Sequence, residues 1–256
     1  MIIKTEQELQ AMREIGRICA VTLQRMGRAL RPGITTRELD DLGGEVLASF
    51  GAQSAPVACY NFPGHTCISV NEEVAHGIPG DRVIKAGDVV NIDVSAVKDG
   101  YFSDNGASFA VPPVKAAVQK LLEVGKRARE LAIAQAVAGY ALNGLGLAVE
   151  KEAHRHGYTT IRNLCGHGVG HTLHDDPDSI YNYHERKDKR VLQNGVVLAI
   201  EPFVALGDHY VDELGNGWTL VTPHRRQVVQ FEHTVMVREN EPPLILTSLS
   251  AEEEQR

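Results

Sequence analysis

From Glu6 to Leu30, Leu9, Met12, Ile15, Ile18, Cys19, Thr22 and Met26 recur at spacings of three and four, which is the period of an amphipathic helix. Thr5 and Glu8 precede that run with the spacing of a capping box, and Arg31-Pro32-Gly33 stops it. Thr35-Thr36-Arg37-Glu38 offers a second cap, with helix to Phe50 and a stop at Gly51. From Ser54 to Val111 the texture changes. β-branched residues cluster in Thr66–Val70, Val89–Val94 and Phe102–Val111, and the turn pairs Pro79-Gly80 and Asp99-Gly100 separate them. That pattern predicts strands and hairpins. Helical spacing returns over Val114–Leu142 and Leu147–His156, with Asn143-Gly144 as a helix end and Gly157 as a stop, and strands follow.

The order helix, helix, strands therefore occurs twice. VIKAGDVVNID (Val83–Asp93) aligns with VLQNGVVLAIE (Val191–Glu201) through shared Val, Gly, Val and Ile. We read a single domain over residues 1–256, built from repeats at about 5–111 and 114–237, with a tail over about 241–256. Both aligned strands end in a carboxylate, Asp93 and Glu201, so chemistry is expected at a seam between the halves.

Charge narrows the field. Lys and Arg total 26 against 33 Asp and Glu, a net of −7, which argues against a direct nucleic-acid role because such affinity comes from clustered cations. The four cysteines, at 19, 59, 67 and 165, form no CxxC pair, so no zinc knuckle is expected. Met1–Leu9 carries Lys4, Glu6 and Glu8 and lacks an apolar secretory core; free thiols in a cytoplasmic setting follow. Leu131–Val149 has no charge but is rich in Ala and Gly and interrupted by Gln135, Tyr140 and Asn143, too polar for a membrane span.

Three groups of residues can carry chemistry. Asp93 sits among β-branched residues in NIDVSA, and reflecting it about Asp99-Gly100 lands within two residues of Asp104. Two carboxylates so close repel unless they share a proton or a cation; the alternative is an exposed hairpin face. GHGVGHTLH holds His167, His171 and His174, and its glycines suggest a strand closely approached by other backbone. In an extended strand His167 and His171 share one face and His174 takes the other, so spacing alone does not group them. Glu201 in LAIEP and Glu232 in QFEHT follow or join the apolar strands Val196–Ile200 and Val228–Val237.

Read in order, the constellation is His76 in HGIPG, Asp93 in NIDVSA, Asp104 in FSDNGASF, His167 in GHGVG, His174 in LHDDP, Glu201 in IEP and Glu232 in FEHT, with Gly217-Trp218-Thr219 between the last two. It resembles the type I methionine aminopeptidases, from about residue 5 to 240. The resemblance implies an α+β chain of the pita-bread fold, two pseudo-symmetric halves of helices packed on a curved, mostly antiparallel sheet. It implies five metal ligands, Asp93, Asp104, His167, Glu201 and Glu232, holding two divalent ions drawn from Mn, Fe, Co or Zn. A hydroxide between ions about 3.5–4 Å apart would be the nucleophile. His76 would contact the scissile amide, His174 would help stabilise the oxyanion, and Glu201 would shuttle the proton. Tyr60, Phe62, Cys67 and Trp218 match the methionine pocket.

The implied activity is removal of the initiator methionine from nascent chains with a small second residue, by a cytoplasmic monomer, with the ribosome as a further partner and no membrane. The alternatives are a peptidase for another N-terminal residue and a non-catalytic peptide- or ribosome-binding protein on the same fold. His171, Asp212 and His233 match no family ligand. Three departures stand out: Asn105-Gly106 where the family commonly has Thr-Ser, Leu173 where an aromatic is common, and a short loop over Ala58–Pro63.

Overall fold

The structure is a computed structural model and describes residues 1–255. Helix α1 (Glu6–Ala29) opens with the expected capping box: the Glu8 amide donates to Thr5 Oγ1 at 3.2 Å and the Thr5 amide donates to Glu8 Oε2 at 2.9 Å. Helix α2 (Thr36–Ser49) opens the same way on Thr35 and Glu38. The buried stripe of α1, including Met12, Ile15, Ile18, Cys19 and Met26, packs on the strands Val89–Lys98 and Tyr101–Ala110. A strip of such side chains, each worth about 1.5–3 kcal/mol when fully buried, fixes α1 across the hairpin.

Two expectations need correction here. The run from Ser54 is not all strand: α3 (Ala55–Tyr60) intervenes, with the Val57 amide donating to Ser54 Oγ at 3.3 Å and Pro56 in its first turn. Helix α4 (Ala116–Ala134) ends well before Leu142, and α5 (Asn143–Arg155) begins at the pair read as a helix end. Tertiary pairing explains where α4 ends and α5 begins. Residues 135–142 turn to pair with the segment around Leu192, with Gly139 N–H donating to Leu192 O and Leu192 N–H to Tyr140 O, each at 2.9 Å. Asn143 Nδ2 anchors the start of α5 on the carbonyls of Glu185 and Asp188, at 3.1 and 2.9 Å. The uncharged stretch is thereby broken, and among the described residues no helix is long and apolar enough to cross a membrane.

All named strand pairs are antiparallel. One sheet holds Gln53–Ser54, Val89–Lys98 and Cys67–Val70, with Tyr101–Ala110 also paired to Val89–Lys98. A second runs Leu244–Ile245, His233–Met236, Val197–Ile200, Cys165–Gly168, Asp175–Tyr181. One core lies between α1, α2 and the first sheet, another between α4, α5 and the second. The apolar run expected as one strand over Val228–Val237 is split. Val228–Gln230 pairs with Phe203–Ala205, and His233–Met236 pairs with Val197–Ile200. Phe231 and Glu232 cross between sheets, and a bridge from Phe231 to Ala107 ties the crossing to the hairpin. Within the expected tail, Leu244–Ile245 joins the second sheet and α6 (Ala251–Gln255) follows; Arg256 lies outside the described residues.

Candidate metal centre and substrate cavity

The hairpin turn at Asp99-Gly100, with φ of 51 and 81°, fixes the register of its strands. Asp93 lies opposite Gly106 and Asp104 opposite Ser95, so the two aspartates are diagonal neighbours on one face. The Asp104 backbone is clamped from the second sheet: its N–H donates to Thr234 Oγ1 at 3.0 Å, and that hydroxyl donates to Asp104 O at 2.8 Å. His167 is in the strand Cys165–Gly168, paired across to Ala199. The close approach expected of the glycines is present at Gly166, where a Cβ would stand 2.4 Å from Ala199 O. Glu201 follows the strand Val197–Ile200, and Glu232 arrives through the sheet crossing.

These elements converge. His167 Nε2 is 3.8 Å from Asp104 Oδ2 and 3.8 Å from Glu201 Oε1. Asp104, His167 and Glu232, all buried, place one ligand atom each within 4.8 Å of one another. Burial first, and then the neighbouring Asp104 carboxylate, pushes Asp93, Glu201 and Glu232 well above the usual carboxylate range. Asp93 Oδ1, Asp104 Oδ1 and Glu232 Oε1 have no hydrogen-bonding partner. Buried polar atoms almost always have one, so three orphaned oxygens in one cluster call for a cation or protons. His167 Nδ1 lies 2.8 Å from Gly168 O, so the ring donates there and keeps its Nε2 lone pair for the cluster. Hard oxygens with one imidazole nitrogen suit a divalent cation of the first transition row.

A cavity of about 350 Å³ opens beside the cluster. Its walls include Tyr60, Phe62, Cys67, His76, His174 and Trp218. Phe62 and Trp218 meet edge to face with centroids 5.1 Å apart. His76 is exposed at the cavity and holds a left-handed φ of 53°, a strained conformation often found at functional positions. Tyr60, on the last residue of α3, sets its hydroxyl 2.5 Å from His174 Nδ1. The His174 ring opens to the cavity, yet the surrounding protein lowers its pKa to about 4, with His167 adding to the shift.

The histidine run does not stay extended as expected. The strand Asp175–Tyr181 returns antiparallel along Cys165–Gly168, so residues 169–174 must turn. The turn brings the His174 ring to 4.3 Å from that of His167 and leaves His171 outside, beside Tyr101. Asp175, next to His174, pairs with the Met1 α-amino group at 2.9 Å. Asp212 is exposed, and His233 is taken up by Thr247 at 2.8 Å. Burial, with Arg129 nearby, lowers the pKa of His233 to about 3. Sequence reading overlooked Pro56 and Ser95 in the cavity wall and Gln230 beside Glu232. Gln230 ends one strand and Glu232 lies in the crossing to the next, so no strand spacing linked them in the sequence.

Carboxylates around one imidazole, beside a cavity, make a site fit for a divalent cation next to a bound small molecule or chain end. The sequence matches metallopeptidase family M24 over residues 10–239, and the chain belongs to that family. It is 48% identical over 248 residues to a methionine aminopeptidase of Staphylococcus epidermidis, covering 95% of this chain and 98% of the relative. To methionine aminopeptidase 2 of Bacillus subtilis it is 44% identical over 250 residues, covering 97% and 100%. The structure superposes on methionine aminopeptidase from Thermotoga maritima with a TM-score of 0.93 at 34% identity, covering 97% of this chain and all (100%) of that one. Prolidase from Pyrococcus furiosus shares the fold alone, with a TM-score of 0.77 at 24% identity over 97% of this chain and 66% of that one. The fold is thus the α+β pita-bread fold.

Proposed function

We propose that this chain removes the N-terminal methionine from newly made polypeptides whose second residue is small. The observation that carries the reading is the buried cluster of orphaned carboxylate oxygens and one lone-pair imidazole opening onto an aromatic-walled cavity. Asp93, Asp104, His167, Glu201 and Glu232 hold two divalent ions, drawn from Mn, Fe, Co or Zn. The ions, when bound, supply Lewis acidity and an activated water.

The protein's own groups do the rest. Phe62, Trp218, Cys67 and Tyr60 receive the methionine side chain, whose thioether gains about 0.3–1.5 kcal/mol per aromatic contact. His76 reaches the scissile amide from the rim. His174, neutral at pH 7, faces the carbonyl oxygen as charge develops there, steadied by the Tyr60 hydroxyl. Glu201 carries the proton from the attacking water to the leaving amine, as a carboxylate set beside both can. Four free cysteines fit a reducing compartment such as the cytoplasm.

The test is a panel of Met-Gly and Met-Leu peptides offered to chelated protein, to protein reloaded with each metal, and to Glu201→Ala. Cleavage of Met-Gly only after reloading, with Met-Leu spared, is expected. Hydrolysis that survives both chelation and Glu201→Ala contradicts the mechanism, and equal cleavage of the two peptides contradicts the specificity.

A further inference from the structure

Glu232 presents one oxygen to the centre and has the other tied down. Its Oε2 accepts a 3.0 Å hydrogen bond from the Gln230 side-chain amide, while Oε1 has no partner. Gln230 is 2% exposed, and its orientation is set at the far end, where Asn91 Nδ2 donates to Gln230 Oε1 at 2.8 Å. Turning that amide over would set NH₂ against NH₂ and oxygen against carboxylate, two repulsions in place of two hydrogen bonds. The backbone is held as well: the Gln230 amide donates to Ser108 Oγ at 3.0 Å, and that hydroxyl donates to Gln230 O at 3.1 Å.

Room for the Gln230 side chain is made across the seam. A Cβ on Gly106 would stand 2.5 Å from both Gln230 Nε2 and Oε1, and 2.9 Å from Cδ. Gly106 is not among the glycines with positive φ, so it supplies clearance rather than backbone freedom. Its carbonyl accepts the Glu232 N–H at 2.8 Å, so one residue sets both the backbone of Glu232 and the space beside its side chain.

We propose that Gly106, Gln230 and Asn91 act together as positioning residues for Glu232. Asn91 orients the Gln230 amide, that amide fixes which Glu232 oxygen faces the centre, and the bare Cα of Gly106 leaves the amide its place. As this chain is packed, a side chain at position 106 would press on the amide and free the carboxylate to rotate, although it adds no group to the centre itself. The proposal rests on reading Glu232 as a metal ligand.

The test is a double-mutant cycle on Mn(II) affinity, measured by isothermal titration calorimetry on the full chain as wild type, Gly106→Ala, Gln230→Ala and the pair. Loss of a group that orients a ligand weakens metal binding by about 10–100-fold, and each single variant is expected to show about tenfold. The pair should bind no more weakly than Gln230→Ala alone, because the new methyl then enters space the amide has left. Losses that multiply in the pair, or Gly106→Ala within twofold of wild type, overturn the proposal. Should Gly106→Ala not fold, Gln230→Met keeps the volume and removes the amide; about tenfold weaker binding supports the proposal, and unchanged binding overturns it. A wild-type chain that takes up no Mn(II) overturns the metal reading itself, and the proposal with it.

Discussion

Asp40 and Asp104 are buried to nearly the same degree, 5% and 6% exposed, but their surroundings differ in kind. Asp40 accepts from the amides of His65 and Thr66, at 2.9 and 2.7 Å, and from the Thr66 hydroxyl at 2.7 Å. It closes the loop before the strand Cys67–Val70, and each of its oxygens is occupied. Asp104 Oδ1 has no partner, and Oδ2 meets a histidine nitrogen only at 3.8 Å, among other carboxylates in the same state. Burial alone therefore does not mark a functional acid. Asp40 is surrounded by donors, whereas Asp104 keeps an oxygen free inside a cluster of carboxylates with one imidazole, and it is the cluster that calls for a cation.

Exchanging the two charges should separate the two kinds most widely. Asp104→Asn is expected to lower kcat/KM on a Met-Gly peptide by at least about 10²-fold, since metal-ion catalysis supplies several kcal/mol. The metal-free protein should meanwhile melt no lower, because a buried carboxylate with an unpartnered oxygen gives way to a neutral amide. Asp40→Ala should do the reverse. It strands three donors at about 1–3 kcal/mol each before relaxation, so chemical denaturation should register a loss of about 3 kcal/mol while kcat in the folded fraction holds. If both variants behave alike, the distinction fails.

The pH dependence of stability sharpens the same contrast. In the folded metal-free chain Asp93, Glu201 and Glu232 keep protons that they release when unfolded, since their pKa values are raised. The folded state then binds more protons, so stability is fullest below the ordinary carboxylate range and falls as pH rises. The slope is about 1.4 kcal/mol per pH unit for each proton of difference. Thermal midpoints of the metal-free protein should accordingly drop between pH 5 and 8, and saturating Mn(II) should remove the drop because bound cations replace the protons. A metal-free midpoint that climbs over that range contradicts the account.

The smallest expected effect lies at the cavity rim. Tyr60→Phe removes the hydroxyl beside His174 and should cost about 2–10-fold in kcat/KM, the worth of one hydrogen bond, with Mn(II) affinity unchanged. A fall in Mn(II) affinity would mean that Tyr60 supports the centre instead.

Much of this arrangement was legible because local rules fixed it. The two-residue turn at Asp99-Gly100 dictates register, which is why reflection about it placed Asp104 within two residues of the partner of Asp93. Capping boxes located the starts of α1 and α2. What escaped depends on contacts distant in sequence. The grouping of His174 with His167 comes from a turn forced by the returning strand, and the split at Phe231-Glu232 comes from two sheets competing for one apolar run. Residues 135–142 left the helix because the segment around Leu192 offered their backbone partners. Helix α3 had a local signal, Ser54 before Ala55-Pro56, which the surrounding β-branched texture masked. The family resemblance placed site residues that spacing alone left open, and it was silent on how Asn91 and Gln230 hold Glu232.

The central claim is that the orphaned carboxylates form a cation site and the satisfied one does not. Counting divalent ions per chain tests it most directly, by equilibrium dialysis against Mn(II) of the wild type, Glu232→Gln and Asp40→Asn. The account predicts two ions per wild-type chain at saturation, a weakened or lost ion in Glu232→Gln, and wild-type stoichiometry in folded Asp40→Asn. Equal binding by wild type and Glu232→Gln, or no binding by the wild type, would contradict it.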